Sequence, residues 1–289
     1  MSLSRPDYVR LFLVLVLWAG NIIAIKIAVQ EVPPLTAAML RFITTGLVFL
    51  PFIRKTGRTA LWTILQISVF MNVLHIGTLF IGLEMLDAAS VSVLLQTQVV
   101  FATILGAIFF REKIRWRTWM GMGLAAIGVI VMLGEPDLAG NPAGVGVMLF
   151  STLALSYSYV KMKHLKSVHP ASYVCLMSLF AVPFTFAGSL MFEPGAIAAL
   201  PSSDWSVFGP VLAYQAILVS LTHISWQRMM HQGDVGKLSA FTLLIPFMAI
   251  LMSVVLLGEH IDWPMVVGGF LTMLGVGIIT LRRIQKGIV

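Results

Sequence analysis

Charge is what this chain has least of. Twelve acidic and 19 basic residues occur in 289, or 11% charged, where a soluble domain carries roughly 25%. That excludes a water-soluble globule of this size and makes a lipid bilayer the expected solvent. The one cysteine, Cys175, lies in an apolar run. No disulfide can close within the chain, so the redox compartment is left open and the thiol is assigned to helix packing. HExxH, GxSxG and any metal-spaced cluster of His and Cys are missing, and no Asp or Glu stands in the middle of an apolar run. An integral-membrane enzyme would need such groups, so no enzyme activity is expected, and no metal or cofactor.

What is present is apolar sequence, 58% of all residues. Crossing a hydrocarbon core as helix takes about 20 apolar residues, and ten runs meet or approach that length. They extend from Val9 to Val29, Leu35 to Ile53, Ala60 to Leu83, Ala88 to Phe110, Trp116 to Leu133, Ala143 to Val160, Ala171 to Phe192, Trp205 to Gln227, Gly236 to Leu257 and Trp263 to Leu281. The first is too long for a signal peptide and lacks a small-residue cleavage site, so it reads as a retained span. Short connections hold the breakers Pro33, Pro34, Gly57, Pro136, Pro142, Pro194 and Gly195, and none could hold a further domain. The predicted class is all-α integral membrane, since strands of a barrel would be shorter and alternating.

Orientation comes from the basic residues. Lys26 and Arg41 aside, every Lys and Arg falls at the amino terminus or in an even-numbered connection or at the carboxy terminus, as with Arg54, Lys55, Arg111, Lys113, Arg115, Lys163 and Lys237. The odd-numbered connections carry acids instead, among them Glu31, Glu84, Asp87, Glu135, Glu193, Glu259 and Asp262. The positive-inside rule therefore puts both termini in the cytoplasm of a multi-pass inner (plasma) membrane protein. The net charge of +7 lies in membrane-flanking loops, so it belongs to the bilayer surface and no nucleic-acid partner is expected. Oligomeric state is not legible.

The halves repeat at a spacing of 147 residues. Glu112, Ile114, Trp116, Gly121 and Gly128 recur as Glu259, Ile261, Trp263, Gly268 and Gly275, and Asp87 recurs as Asp234. Residues 1–135 and 136–289 are thus two repeats of five spans, and an odd number of spans inverts the second copy in the membrane. Two inverted bundles that rock about a shared midplane site are a recurring plan of secondary transporters. The glycines Gly121, Gly123, Gly128, Gly268, Gly269, Gly275 and Gly277 are expected at close helix contacts.

Polar residues inside spans are costly and mark candidate function. In the third run Ser68, Asn72, His75 and Leu79 fall on one face, and shifting by 147 gives Gln215, Val219, Thr222 and Trp226 in the eighth. In the fourth, Gln96 shares a face with Ser92 and Thr103, whereas Gln98 points elsewhere. Asn21 in the first run pairs with Tyr157 in the sixth when Pro34 is aligned with Pro170. Asn21, Asn72, His75, Gln96, Tyr157, Gln215, Thr222 and Trp226 are accordingly the predicted lining of a substrate site, while Ser68, Ser92 and Thr103 are assigned to interhelical hydrogen bonding. Lys26 and Arg41 are read as lying toward the external ends of their spans, where snorkelling accounts for them; the alternative is an external anion site. With no carboxylate at mid-span, His75 is the one candidate for a mid-membrane proton acceptor, and uncoupled transport is expected.

Three segments carry a family resemblance: WAGNIIAIKIAVQEVPPLTAAMLRF from Trp18 to Phe42, ILGAIFFREKIRWRTWMGMGLAAIGVIVM from Ile104 to Met132, and IPFMAILMSVVLLGEHIDWPMVVGGFLTMLGVGIIT from Ile245 to Thr280. With them the chain resembles the ten-helix EamA-type members of the drug/metabolite transporter superfamily. The resemblance implies export of amino acids, as in the aromatic amino-acid exporters, or of related small metabolites through a cavity lined mainly by helices 1, 3, 4, 6, 8 and 9. Other branches of the superfamily carry phosphorylated or nucleotide-linked metabolites, whose site needs two or more central cations.

Overall fold

In a computed structural model, residues 5–111, 114–134, 136–162, 165, 168–232 and 241–285 are described. Glu112, Lys113, Glu135, Lys163, Asp234, Gly236 and Lys237, which the sequence reading uses, lie outside the described residues, and with them the start of the ninth run.

Backbone polar groups have no water to bond in hydrocarbon, so long apolar runs close their hydrogen bonds internally as helices. No strand occurs among the described residues. Eight helices are long and apolar enough to cross a membrane: α1 (Tyr8–Glu31), α2 (Pro34–Phe52), α3 (Arg58–Met85), α4 (Ala88–Phe110), α6 (Pro142–Met162), α7 (Pro170–Phe192), α8 (Trp205–Trp226) and α10 (Trp263–Thr280). Two shorter apolar helices, α5 (Trp116–Met132) and α9 (Thr242–Leu257), complete the bundle. Proline opens α2, α6 and α7, where its missing N–H costs nothing and its fixed φ suits the first turn. Outside the bundle, Asp204 caps α8 by accepting from Ser206 N at 2.9 Å and Ser206 Oγ at 2.5 Å. Those bonds hold its carboxyl below the ordinary carboxylate value.

The helices are broken in paired places. In α4 the bonds from Gln96 N to Val93 O, Gln98 N to Leu95 O and Val99 N to Gln96 O tighten the turn to three-residue spacing, and Thr242–Leu244 does the same in α9, 147 positions on. Wider π-helical turns occupy Val69–Gly77 of α3 and Tyr214–Val219 of α8. α4 ends on Arg111 at φ 54° and α9 on Gly258 at φ 70°, again 147 apart. Breaks of this kind inside helices collect at functional sites.

One end of the bundle is tied across all five odd-numbered connections. Glu193, after α7, accepts from Leu35 N (2.6 Å), Thr36 N (2.9 Å) and Thr36 Oγ1 (2.7 Å). Glu259, after α9, accepts from Ala88 N (2.7 Å) and Ala89 N (2.9 Å). Each carboxylate thus satisfies orphan donors at a helix N-terminus, α2 or α4, where the helix dipole favours negative charge. Asn141 Nδ2 donates to Met85 O at 2.9 Å, and Lys26 Nζ donates to Leu86 O at 2.8 Å.

α5 and α10 cross antiparallel with backbones touching. A Cβ on Gly121 would stand 2.7 Å from Gly275 O, and one on Gly268 would stand 2.5 Å from Gly128 O. The contact is self-complementary at the 147-residue spacing: Gly121 meets the counterpart of Gly128, and Gly128 meets the counterpart of Gly121. Gly123 and Gly277 have nothing within reach and Gly269 only ordinary contact with Val93. Their expected close packing is therefore corrected, because they sit off the seam on helices whose other glycines fill it.

Substitution tests the seam directly. Gly128→Ala and Gly268→Ala push a methyl into backbone, an overpacking cost of about 1–3 kcal/mol, and should lower the thermal midpoint in detergent. Gly123→Ala and Gly277→Ala should leave it unchanged. Equal effects of the two pairs would contradict the seam.

Candidate functional site

The eight predicted lining residues fall into two groups. On the α1/α8 side, Trp18 Nε1 donates to Thr222 Oγ1 at 2.7 Å, and Thr222 Oγ1 donates to Val219 O at 2.5 Å. Trp226 stacks on Trp18 with ring centroids 5.1 Å apart, and His223 lies against the same indole at 5.3 Å. Tyr214 Oη donates to Leu17 O at 2.6 Å one turn before Asn21. That bond ties α8 to α1 beside Gln215 in the sequence.

On the α3 side, Asn72 Nδ2 donates to Met177 O at 2.9 Å, joined there by Ser68 Oγ at 2.6 Å. The Ser151 hydroxyl donates to His75 O at 2.9 Å, and His75 Nδ1 lies 2.9 Å from the same oxygen. A hydroxyl has one proton to give, so Nδ1 is the donor to Ser151 Oγ. Gln96 is buried at the break in α4. Tyr157 packs on Phe70 (4.4 Å) and Phe109 (5.7 Å), with Lys161 Nζ 5.6 Å from its ring centroid. Ser92 and Thr103 bond carbonyls of their own helix, Ala89 O and Val99 O, so they bridge no helices. Gln98 takes a bond from Tyr159 Oη at 3.3 Å, away from buried Gln96.

Depth separates the predicted residues further. Asn21 is ten residues from Glu31, His75 ten from Met85 and Gln215 ten from Trp205, each about 15 Å from the tied end at 1.5 Å per residue, the middle of a roughly 30 Å core. Trp226 closes α8 and packs with Leu11, Val14, Leu15 and Met229. It is near the opposite end rather than at mid-depth, and Thr222 lies one turn above it. His223 is exposed although it sits about 160° round α8 from the exposed Leu221. That puts its exposure on the inner half of the helix, with Gln215 and Thr222.

Arg41 is the residue that the sequence reading misplaced. It lies seven residues into α2, about 10 Å from Pro34, and is only 6% exposed. It points about 140° away from Gly46, which packs on Leu179 of α7. It cannot snorkel from there, because its side chain runs into the bundle. Its guanidinium stands 6.0 Å from the Phe80 ring centroid. Lys26, the other intramembrane cation, is committed to Leu86 O.

Five buried side-chain atoms lack a hydrogen-bond partner among the described residues: Asn21 Oδ1, Arg41 Nη1, Gln215 Nε2, His169 Nδ1 and Tyr173 Oη. The last two sit at the start of α7, opposite the tied end. The first three belong to α1, α2 and α8 inside the bundle. A buried unpaired ion costs several kcal/mol, and a cation–π contact returns about 2 at most. Asn21, Arg41 and Gln215 are therefore the candidate contacts for a polar solute.

The model of the EamA-like transporter family matches residues 8–134 and 142–281. The chain belongs to that family. It is a multi-pass membrane transporter of a small molecule and not an enzyme. It is similar to a probable amino-acid metabolite efflux pump of Escherichia coli (strain K12), 25% identical over 286 residues that cover 96% of this chain and 95% of that protein. A Salmonella typhimurium protein of the same name is 26% identical at the same coverage, and an uncharacterized transporter of Archaeoglobus fulgidus is 26% identical over 96% of this chain and 99% of its own length. A crystal structure 19% identical in sequence superposes with a TM-score of 0.62 over 95% of this chain and 96% of that one, which concerns the fold alone.

Paired and unpaired polar groups separate by experiment. Ser151→Ala removes both bonds to His75 and leaves Nδ1–H buried without a partner, so it should cost about 1–3 kcal/mol of stability. Asn21→Leu and Gln215→Met replace unpaired polar groups by apolar ones of similar shape and should be neutral or stabilising. Thermal midpoints in detergent decide it, and a large loss in Asn21→Leu or Gln215→Met would mean that those amides are bonded within the protein.

Proposed function

We propose that this transporter exports amino acids or related small metabolites across the inner membrane by alternating access between two inverted five-helix repeats, residues 1–135 and 136–289. The observation that carries the reading is the set of unpaired polar atoms on Asn21 and Gln215 at mid-depth, one from each repeat. A solute bearing both a donor and an acceptor completes them. Gln96, at the break in α4, is the third contact. Asn72, His75 and Thr222 hold the frame through their bonds to Met177, Ser151 and Trp18, and Tyr157 and Trp226 supply aromatic walls. The efflux-pump names of the enteric relatives support the substrate class. The inverted arrangement is supported by the two stretches that the family model matches, by the self-complementary α5/α10 seam and by the helix breaks spaced 147 residues apart. Both termini face the cytoplasm, on the distribution of Lys and Arg, which makes the tied, acid-rich end external.

No carboxylate carries a proton through the middle of the spans, so flux follows the substrate gradient alone. The phosphorylated-metabolite reading needs a second central cation, and Lys26 is engaged elsewhere.

Purified protein in liposomes, offered labelled amino acids without a pH gradient, should take them up above empty liposomes. Asn21→Leu, Gln215→Met and Gln96→Ala should each lower uptake about fivefold, the equivalent of about 1 kcal/mol per lost contact, and Gln98→Ala should not. Uptake of sugar phosphates in place of amino acids would overturn the substrate class, and a strict requirement for a pH gradient would overturn the uncoupled mechanism.

A further inference from the structure

We infer that Arg41 is the carboxylate receptor of the translocation site, and that the substrate class is therefore the α-amino acid zwitterion, with its ammonium on Asn21 Oδ1. The inference rests on the transport reading above and adds the polarity of the site. Its basis is three unpaired groups on three helices that pack against one another: a buried cation with Nη1 unpaired on α2, an unpaired amide donor at Gln215 on α8 and an unpaired acceptor at Asn21 on α1. Two donors and one acceptor are the complement of a carboxylate beside an ammonium group. A guanidinium fork suits a carboxylate in two-point contact, and Gln215 Nε2, only 1% exposed as a residue, has a remaining lone pair to meet.

The position of Arg41 fits the role. Asn21 and Gln215 share one depth, and Arg41 starts about 5 Å nearer the tied end on a long side chain that turns inward. Its side chain turns toward α3, where the guanidinium lies 6.0 Å from the Phe80 ring centroid. Toward the opposite end the Trp18, His223 and Trp226 rings form an aromatic surface for the substrate's side chain. A single cation in that place accepts one negative charge. Neutralising the carboxylate removes what Arg41 recognises, while the ammonium and the side chain keep their contacts.

The test uses the full chain in proteoliposomes with labelled L-phenylalanine, L-leucine, L-threonine and L-cysteine, each against its carboxamide. The wild type should carry the acids at least tenfold faster than the amides. Arg41→Gln should erase that preference, cutting acid flux at least tenfold and changing amide flux less than twofold, and Arg41→Lys should restore part of it. Thermal midpoints of both variants within a few degrees of the wild type exclude misfolding as the cause. Retention of the acid preference in Arg41→Gln would overturn the inference, as would an equal fall in acid and amide flux in folded protein. If the wild type carries neither acids nor amides, the transport reading itself fails, a result distinct from loss of preference in the variant.

Discussion

In hydrocarbon a polar group that finds no partner inside the protein finds none at all, and this constraint orders the whole molecule. It makes the long apolar runs helical. It puts a carboxylate at the first N–H groups of α2 and α4, where Glu193 and Glu259 take up donors that lipid could not. It sends the hydroxyls of Ser68, Thr103 and Ser151 to nearby carbonyls. Within the bundle three buried atoms of the described residues, on Asn21, Arg41 and Gln215, have no partner in the protein, and the buried guanidinium is the costliest of them.

The same constraint bears on movement. Glu193 and Glu259 tie connections to neighbouring helices by charge-assisted bonds, which are strong in a dry setting and exchangeable once water enters. Any opening of the tied end has to exchange those bonds at α2 and α4. The α5/α10 seam has no such freedom, because its glycines bring backbone against backbone. Helix breaks at Leu95 to Gln98, Thr242–Leu244 and Tyr214–Val219 give the bundle places to bend near Gln96 and Gln215.

Much of this was legible in the sequence, for physical reasons. Runs of apolar residues and their breakers located the helices to within a few residues, since length and hydropathy are what the bilayer selects. The Gly121, Gly128, Gly268 and Gly275 pattern carried the seam, but Gly123 and Gly277 show that a glycine count cannot say which face meets a partner. Helical spacing found the inner stripe of α8 and separated Gln96 from Gln98. It could not tell Asn72, already bonded to Met177, from Asn21, bonded to nothing, because partners come from distant segments. Arg41 was misread for want of depth: seven residues inside a span it is nearer the middle than the surface, and counting from Pro34 would have said so.

The central claim is that these unpaired atoms form one ligand site. A structure of the protein in lipid nanodiscs with a transported amino acid bound tests it most directly. The account predicts a ligand between α1, α2 and α8, its carboxylate within hydrogen-bond distance of Arg41 and Gln215 and its ammonium on Asn21. A bound amino acid elsewhere, with the Arg41 guanidinium paired to a carboxylate of the protein, would contradict it.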